Sequence, residues 1–188
     1  MVFHCANAGY GRWVKTLPPI MEGIIAGAAA SGARLVYGDN LDMHGHVARP
    51  LTDLPERPVG PNATVRARVA TRLMEAHANG AVRATIGRAS NFYGPHARRS
   101  IVGQGLFPPA LSGRPARGSL RVAPTVAISA LAPFVALLRG VKEALDQSEQ
   151  PWVVDHSKYA QAFGATPTPH PDAIGRTLKW FRERPVSR

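Results

Sequence analysis

The side chains able to do chemistry in this chain gather at a few places. The stretch Ala33 to Gly45 ends a short apolar run in Gly38-Asp39-Asn40 and then supplies Asp42 and His44, with His46 just beyond. Asp39 or Asp42 beside His44 would make an acid–base pair, since a neighbouring carboxylate favours and orients an imidazolium. Asn40 can orient a substrate oxygen through its amide. His44 and His46 form a His-x-His, but no third ligand stands at useful spacing, so loop histidines are the plainer reading and no metal is expected. Cys5 is the single cysteine, which excludes an internal disulfide and gives no metal-site spacing. Arg98, Arg99 and Arg114 can grip a diphosphate; a solvated surface is the reading weighed against it.

The elements that must position these residues are legible in order. Val2 to Ala6 is a strand, followed by a glycine-rich loop, Asn7 to Gly11. Trp13 to Ser31 reads as a helix, with Pro18 and Pro19 in its first turn, an apolar side of Leu17, Ile20, Met21, Ile24, Ile25 and Ala28, and Gly32 as its stop. Leu35-Val36-Tyr37 lies in a buried strand over 33–38. Its carboxyl end is where open α/β sheets place their ligands. Pro50 to Pro61 is a loop. Asn62 or Thr64 caps a second helix to Asn79, with Val65, Val69, Leu73 and Ala76 inward and Gly80 closing it. Val82 to Ile86 is a third strand. The first ninety residues thus spell β-α-β-α-β, part of a doubly wound parallel sheet with right-handed crossovers. Further on, helices are expected near Leu106–Leu111, over Ala127 to Leu145, over His156 to Phe163 up to Gly164, and over Pro171 to Arg184 with Ile174, Leu178 and Phe181 buried. Trp152 and Trp180 read as packing residues.

Composition narrows the class. At 188 residues with 45% hydrophobic content, the chain is long enough for a proper core, and no apolar run would span a bilayer. No signal peptide is visible at the start, so a soluble cytoplasmic protein is expected. The formal charge is +11, and no acidic residue falls between Glu75 and Glu143, where Arg83, Arg88, Arg98, Arg99, Arg114, Arg117, Arg121, Arg139 and Lys142 all lie. Such a face attracts polyanions. Without basic and aromatic interleaving or a known DNA-reading pattern, a phosphate-bearing small ligand stands ahead of nucleic acid.

Four stretches carry a family resemblance. Val2 to Ala6 resembles a fourth strand ending in His and small residues. Residues 36–45 resemble a strand ending in two serines and then Tyr-Gly, with Asp39 and Asn40 at the serines and His44-Gly45 at the pair. Arg57 to Pro61 resembles the segment before a Tyr-x-x-x-Lys, whose Tyr position is then Asn62 and whose Lys position is Arg66. Arg88 to Pro95 matches Arg-x-x-Asn-x-Tyr-Gly-Pro. Together these resemble the second half of the NAD(P)-dependent epimerase/dehydratase family, the extended short-chain dehydrogenase/reductases. Residues 155–181 resemble its closing helices, whereas 113–150 match poorly.

The resemblance implies a Rossmann-like NAD(P)-binding half-domain over 1–96 and a reduced, mostly helical substrate lobe over 97–188. It implies hydride-transfer chemistry on a sugar nucleotide or similar hydroxylated molecule, with NAD or NADP as cofactor. By position, Asn40, Asn62 and Arg66 stand at the catalytic Ser, Tyr and Lys. Cys5, Ala6, Asn7, Asn40, Arg66, Ala89 and Ser90 would border the cofactor, and His44, Asn91 and Tyr93 the substrate. Asn7 and Asn40 are equally readable as caps of strand ends. Asn62 has no proton to exchange near neutrality, while Arg66 keeps a cation of different reach able to meet a ribose. The family's glycine-rich pyrophosphate turn does not occur, so the chain reads as truncated and impaired. The first strand would then be a bare edge able to pair with another copy or a partner chain.

Overall fold

The computed structural model describes residues 1–45, 56–90, 92–98, 100–113 and 153–184. The elements are β1 (Val2–His4), α1 (Trp13–Ser31), β2 (Arg34–Asp39), α2 (Pro61–Ala78), β3 (Arg83–Arg88), α3 (Ile101–Leu111), α4 (Ser157–Phe163) and α5 (His170–Glu183). Among the described residues they fall into two compact units, Met1–Ala89 with 153–155, and 90–113 with 156–184. The expected helix over Ala127 to Leu145, together with His46, Asn91, Arg99, Arg114 and Trp152, lies outside the described residues.

The first unit is built on a parallel sheet in the order β1-β2-β3. Val2 sits opposite Leu35, Leu35 opposite Ala84, and Tyr37 opposite both His4 and Ile86. Because side chains alternate along a strand, Leu35, Tyr37 and Asp39 share one face, and all three are buried. Helices α1 and α2 cover that face. Trp13, Leu17, Met21, Ile25 and Ala28 recur at helical spacing on α1, and Val65, Val69, Leu73 and Ala76 on α2. Each fully buried aliphatic side chain here contributes roughly 1.5–3 kcal/mol. The fold class read from the sequence is what the chain adopts.

Local details differ from the expectation. Pro18 and Pro19 are interior residues of α1, in its second turn, not its first. Their missing N–H groups leave the Val14 and Lys15 carbonyls without helical partners. Both belong to exposed residues, where water can replace the bond. Gly32 ends α1 in the left-handed conformation at φ 61°, as expected. For α2 the cap is Gly60 at φ 90°, followed by Pro61 in the first helical position. Proline's fixed φ suits that place better than a capping Asn62 or Thr64 would. Thr64 instead donates its hydroxyl back to the Gly60 carbonyl at 2.8 Å.

In the second unit α3 starts earlier than expected, at Ile101, because Ser100 caps it by accepting from the Gly103 N–H at 2.9 Å. Phe107 of α3 packs with Trp180 and Phe181 of α5, flanked by Tyr93, Leu111 and Leu178. The buried stripe of α5 is therefore Thr177, Trp180 and Phe181, and Ile174 is 42% exposed instead of buried. The large aromatic pair sets the helix's rotation, and Thr177 tolerates full burial because its hydroxyl donates to the Ala173 carbonyl at 2.6 Å. Arg98 stacks over Trp180 at 5.0 Å and donates to the Arg184 carbonyl, completing the carboxyl end of α5. Among the described residues no helix is long and apolar enough to cross a membrane.

Gly45 and Gly27 make opposite predictions. Gly45 has φ 60°, and a Cβ there would land on the Arg57 carbonyl oxygen. Gly45→Ala is expected to lose roughly 1–3 kcal/mol in urea unfolding. Gly27 lies within α1 with open space around it, so Gly27→Ala should gain about 0.4–1 kcal/mol. Equal effects of the two substitutions would contradict the packing described for the Gly45 turn.

Candidate functional site

The carboxyl ends of the strands are held by one buried polar cluster. Alternation along β2 puts Tyr37 and Asp39 under the helices, and the Asp39 side chain has no exposed surface. The stripe that buries Val65 and Val69 on α2 also turns Arg66 inward, at 4% exposure. Arg66 Nη1 donates to the Asp39 carboxylate at 3.1 Å and to the Tyr37 hydroxyl at 2.9 Å. Its guanidinium carbon lies over the Trp13 ring, 4.0 Å from the centroid. Arg88, which ends β3, places Nε 3.6 Å from the other Asp39 oxygen and pairs at its far end with Glu56. His4 of β1 stacks on Tyr37 with ring centroids 5.0 Å apart. Trp13 donates its indole N–H to the Ala8 carbonyl at 2.9 Å.

The electrostatics follow from burial. Burial pushes the Asp39 carboxyl above its ordinary value, and the Arg66 charge opposes that shift. Burial, and then the Asp39 charge, push the Tyr37 phenol up to about 12. That phenol stays protonated at neutral pH and is no base. Burial lowers the His4 imidazole, aided by the nearby Arg66 cation.

The sequence candidates are distributed as follows. Cys5, Ala6 and Asn7 are exposed beyond β1, and Asn7 Oδ1 accepts from the Ala8 N–H at 3.0 Å. Asn40 donates to Asp42 at 2.7 Å in a local turn. His44 is buried at 2% exposure, in a turn tied to the next segment by the Arg57 N–H bond to the Met43 carbonyl. Asn62 is buried one turn before Arg66, and Ala89 donates its N–H to the Asp39 carbonyl at 3.1 Å. The structure therefore brings Arg66 onto Asp39 and Tyr37. Ser90 and Tyr93 belong to the second unit, where the Tyr93 hydroxyl bonds His170 Nδ1 at 2.8 Å.

Sequence reasoning missed the roles of Trp13, Tyr37, His4 and Arg88. The available signal was an aromatic and an acid at alternate positions of one strand, with an arginine inside an apolar helical stripe. A surface groove of about 470 Å³ between α1 and α2, with Pro18, Met21, Glu22 and Arg72 in its lining, contains none of the sequence candidates. Among the described residues no three His, Cys, Asp or Glu side chains gather as metal ligands would.

No protein-family model matches the chain, and no curated protein does. Solved structures do. The double mutant of DesIV, a dTDP-glucose 4,6-dehydratase from Streptomyces venezuelae crystallised with NAD, aligns at a TM-score of 0.66 and 17% identity over 96% of this chain and 72% of that one. A UDP-glucuronic acid 4-epimerase from Bacillus cereus, complexed with UDP-glucuronic acid and NAD, aligns at 0.63 and 13% over 94% and 73%. RMD from Pseudomonas aeruginosa with NADPH gives 0.63 and 14% over 96% and 81%. Structural neighbours of this chain are thus NAD-dependent sugar-nucleotide dehydratases and epimerases, and at such identities the likeness establishes the fold.

His4 generates a pH prediction. Its folded pKa lies below the ordinary 6.5, so on acidification the unfolded chain takes up a proton that the folded chain resists. Stability is fully present above that value and falls as pH drops through the folded pKa. His4→Phe keeps the stack on Tyr37 and removes the titration. Compared by urea unfolding at about pH 7.5 and about pH 5, the variant should lose less stability than the parent. Equal losses would remove His4 from the acid sensitivity.

Proposed function

We propose that this chain is a binding module of the NAD(P)-dependent epimerase/dehydratase type, taking a nicotinamide dinucleotide or sugar nucleotide without efficient proton transfer. The fold likeness and the Arg88 to Pro95 motif support the ligand class. The observation that carries the impairment is the state of Arg66. At the position where the resemblance expects a lysine facing a ribose, its guanidinium is turned inward onto Asp39, Tyr37 and Trp13. Asn62, at the position of the proton-moving tyrosine, is a buried amide.

The fit to a nicotinamide cofactor is divided. Cys5, Ala6 and Asn7 are exposed at a strand's carboxyl end, where a ring and ribose would rest. A bound nicotinamide would supply hydride acceptance or donation. The described residues at the family's Tyr and Lys positions are poor takers of the accompanying hydroxyl proton: the Asn62 amide cannot accept it and an arginine stays protonated, while the neighbouring Tyr37 phenol is pushed up to about 12. Binding without turnover is the combination these residues favour.

A second reading rests on β1. It is an outer strand of the described sheet, and Phe3 on it is 69% exposed beside Met1 at 72%. An apolar, uncharged edge invites strand addition, which would make the chain an assembly module.

Two experiments separate the readings. Calorimetric titration with oxidised and reduced NAD and NADP should give stoichiometric binding, with no nicotinamide reduction when a nucleoside-diphosphate sugar is added. Turnover by this chain would overturn the impairment, and failure of all four dinucleotides and the sugar nucleotide to bind would overturn the ligand class. For the edge, sedimentation of the parent and Phe3→Lys should show association in the parent alone; a monomeric parent would dismiss pairing.

A further inference from the structure

We infer that Arg66 serves the ligand site at one remove: it is a positioning residue that fixes the Asn7–Gly11 loop through Trp13. This rests on the proposed function only for which ligand the loop would meet. The clamp itself is drawn from geometry within the first unit.

The connections run in one direction. Asp39 and Tyr37 hold Arg66 Nη1 at 3.1 and 2.9 Å, which anchors that end of the guanidinium. Its carbon lies 4.0 Å from the centre of the Trp13 ring, a stacking and cation–π distance. Trp13 is 5% exposed, and its only ring donor reaches back to the Ala8 carbonyl at 2.9 Å. Ala8 is partly buried and packs on the core that Trp13 belongs to, while Asn7 and Gly9 on either side are exposed. A hydrogen bond from the Arg12 N–H to the Gly9 carbonyl at 2.8 Å closes the loop's other end. The loop follows β1 at the carboxyl edge of the sheet, so whatever fixes its shape fixes the rim of the site.

Lysine could not do this. An ammonium can pair with Asp39 and Tyr37, as Arg66 Nη1 does from a single nitrogen, but it has no planar face to lay against the indole. A direct ribose contact at position 66 would tolerate lysine; a clamp requires arginine. The two roles therefore make opposite demands on one substitution.

Hydrogen exchange by NMR, read on the full chain without ligand, tests the clamp. In Arg66→Lys the Trp13 indole N–H and the amides of residues 8–12 should exchange faster by about tenfold or more. Amides in the middle of α1 should change less, which distinguishes a released loop from general destabilisation. Trp13→Phe keeps a ring under Arg66 and removes the bond to Ala8. It should release the same loop amides while leaving those around Asp39 protected, and it serves as the control if Arg66→Lys folds poorly. Unchanged loop exchange in Trp13→Phe, or an unchanged Trp13 indole in a folded Arg66→Lys, would overturn the clamp. Dinucleotide affinity is then measured on the same proteins and should fall in both variants. No binding by the parent would count against the ligand reading alone, and tighter binding by Arg66→Lys would mean that residue 66 contacts the ligand directly.

Discussion

The first unit turns on the buried ion pair of Asp39 and Arg66. Removing two charges from water costs several kcal/mol per ion, and attraction offsets this only where the remaining polar atoms are also met. Here the carboxylate has Arg66, Arg88, the Tyr37 hydroxyl and the Asn40 N–H around it. Even so, desolvation outweighs these partners in setting its proton affinity. The pair is thus a constraint more than a source of stability. A charge left alone there would cost more than the absence of both partners together, so β2, α2, β3 and the Trp13 turn must keep their mutual positions.

That constraint alters how Asp39 and Arg66 are read against the resemblance to the epimerase/dehydratase pattern. Read along the sequence, an acid at a serine position and an arginine at a lysine position are two separate losses. In the fold the two residues are direct partners. Asp39 in this apolar pocket demands a cation, and Arg66 is long enough and flat enough to answer while resting on Trp13. Once the acid is present, the cation is directed inward.

The β-α-β-α-β order was legible because each element carries its own signal: β-branched and aromatic residues in Leu35-Val36-Tyr37, a four-residue recurrence in Leu17-Met21-Ile25, glycine at Gly32. The pair of Asp39 and Arg66 was not, since it spans 27 positions and depends on the rotation of α2. Asn62, Arg66, Val69 and Leu73 do lie on one stripe, so a polar residue inside an apolar period was the visible hint. The α5 stripe was misplaced for a related reason. Choosing Ile174 by hydrophobicity ignored that Trp180 and Phe181 bring more area to bury and fix the helix's rotation. A buried threonine looks wrong in a sequence until its hydroxyl is seen to have a carbonyl within its own helix.

The same cluster locates the chain's surplus charge. Asp39 and Glu56 on one side, Arg66 and Arg88 on the other, balance at the strand ends. Of the remaining arginines, Arg98 is engaged at the end of α5 and Arg72 with Glu22. Among the described residues, these pairs leave little net charge in the buried cluster at the strand ends. Attraction of anions by exposed charges is screened by salt over about 10 Å. If the strand ends take a ligand as proposed, a cluster whose charges are internally paired leaves shape and hydrogen bonds to the short loop beside it, so the rigidity of that loop matters there.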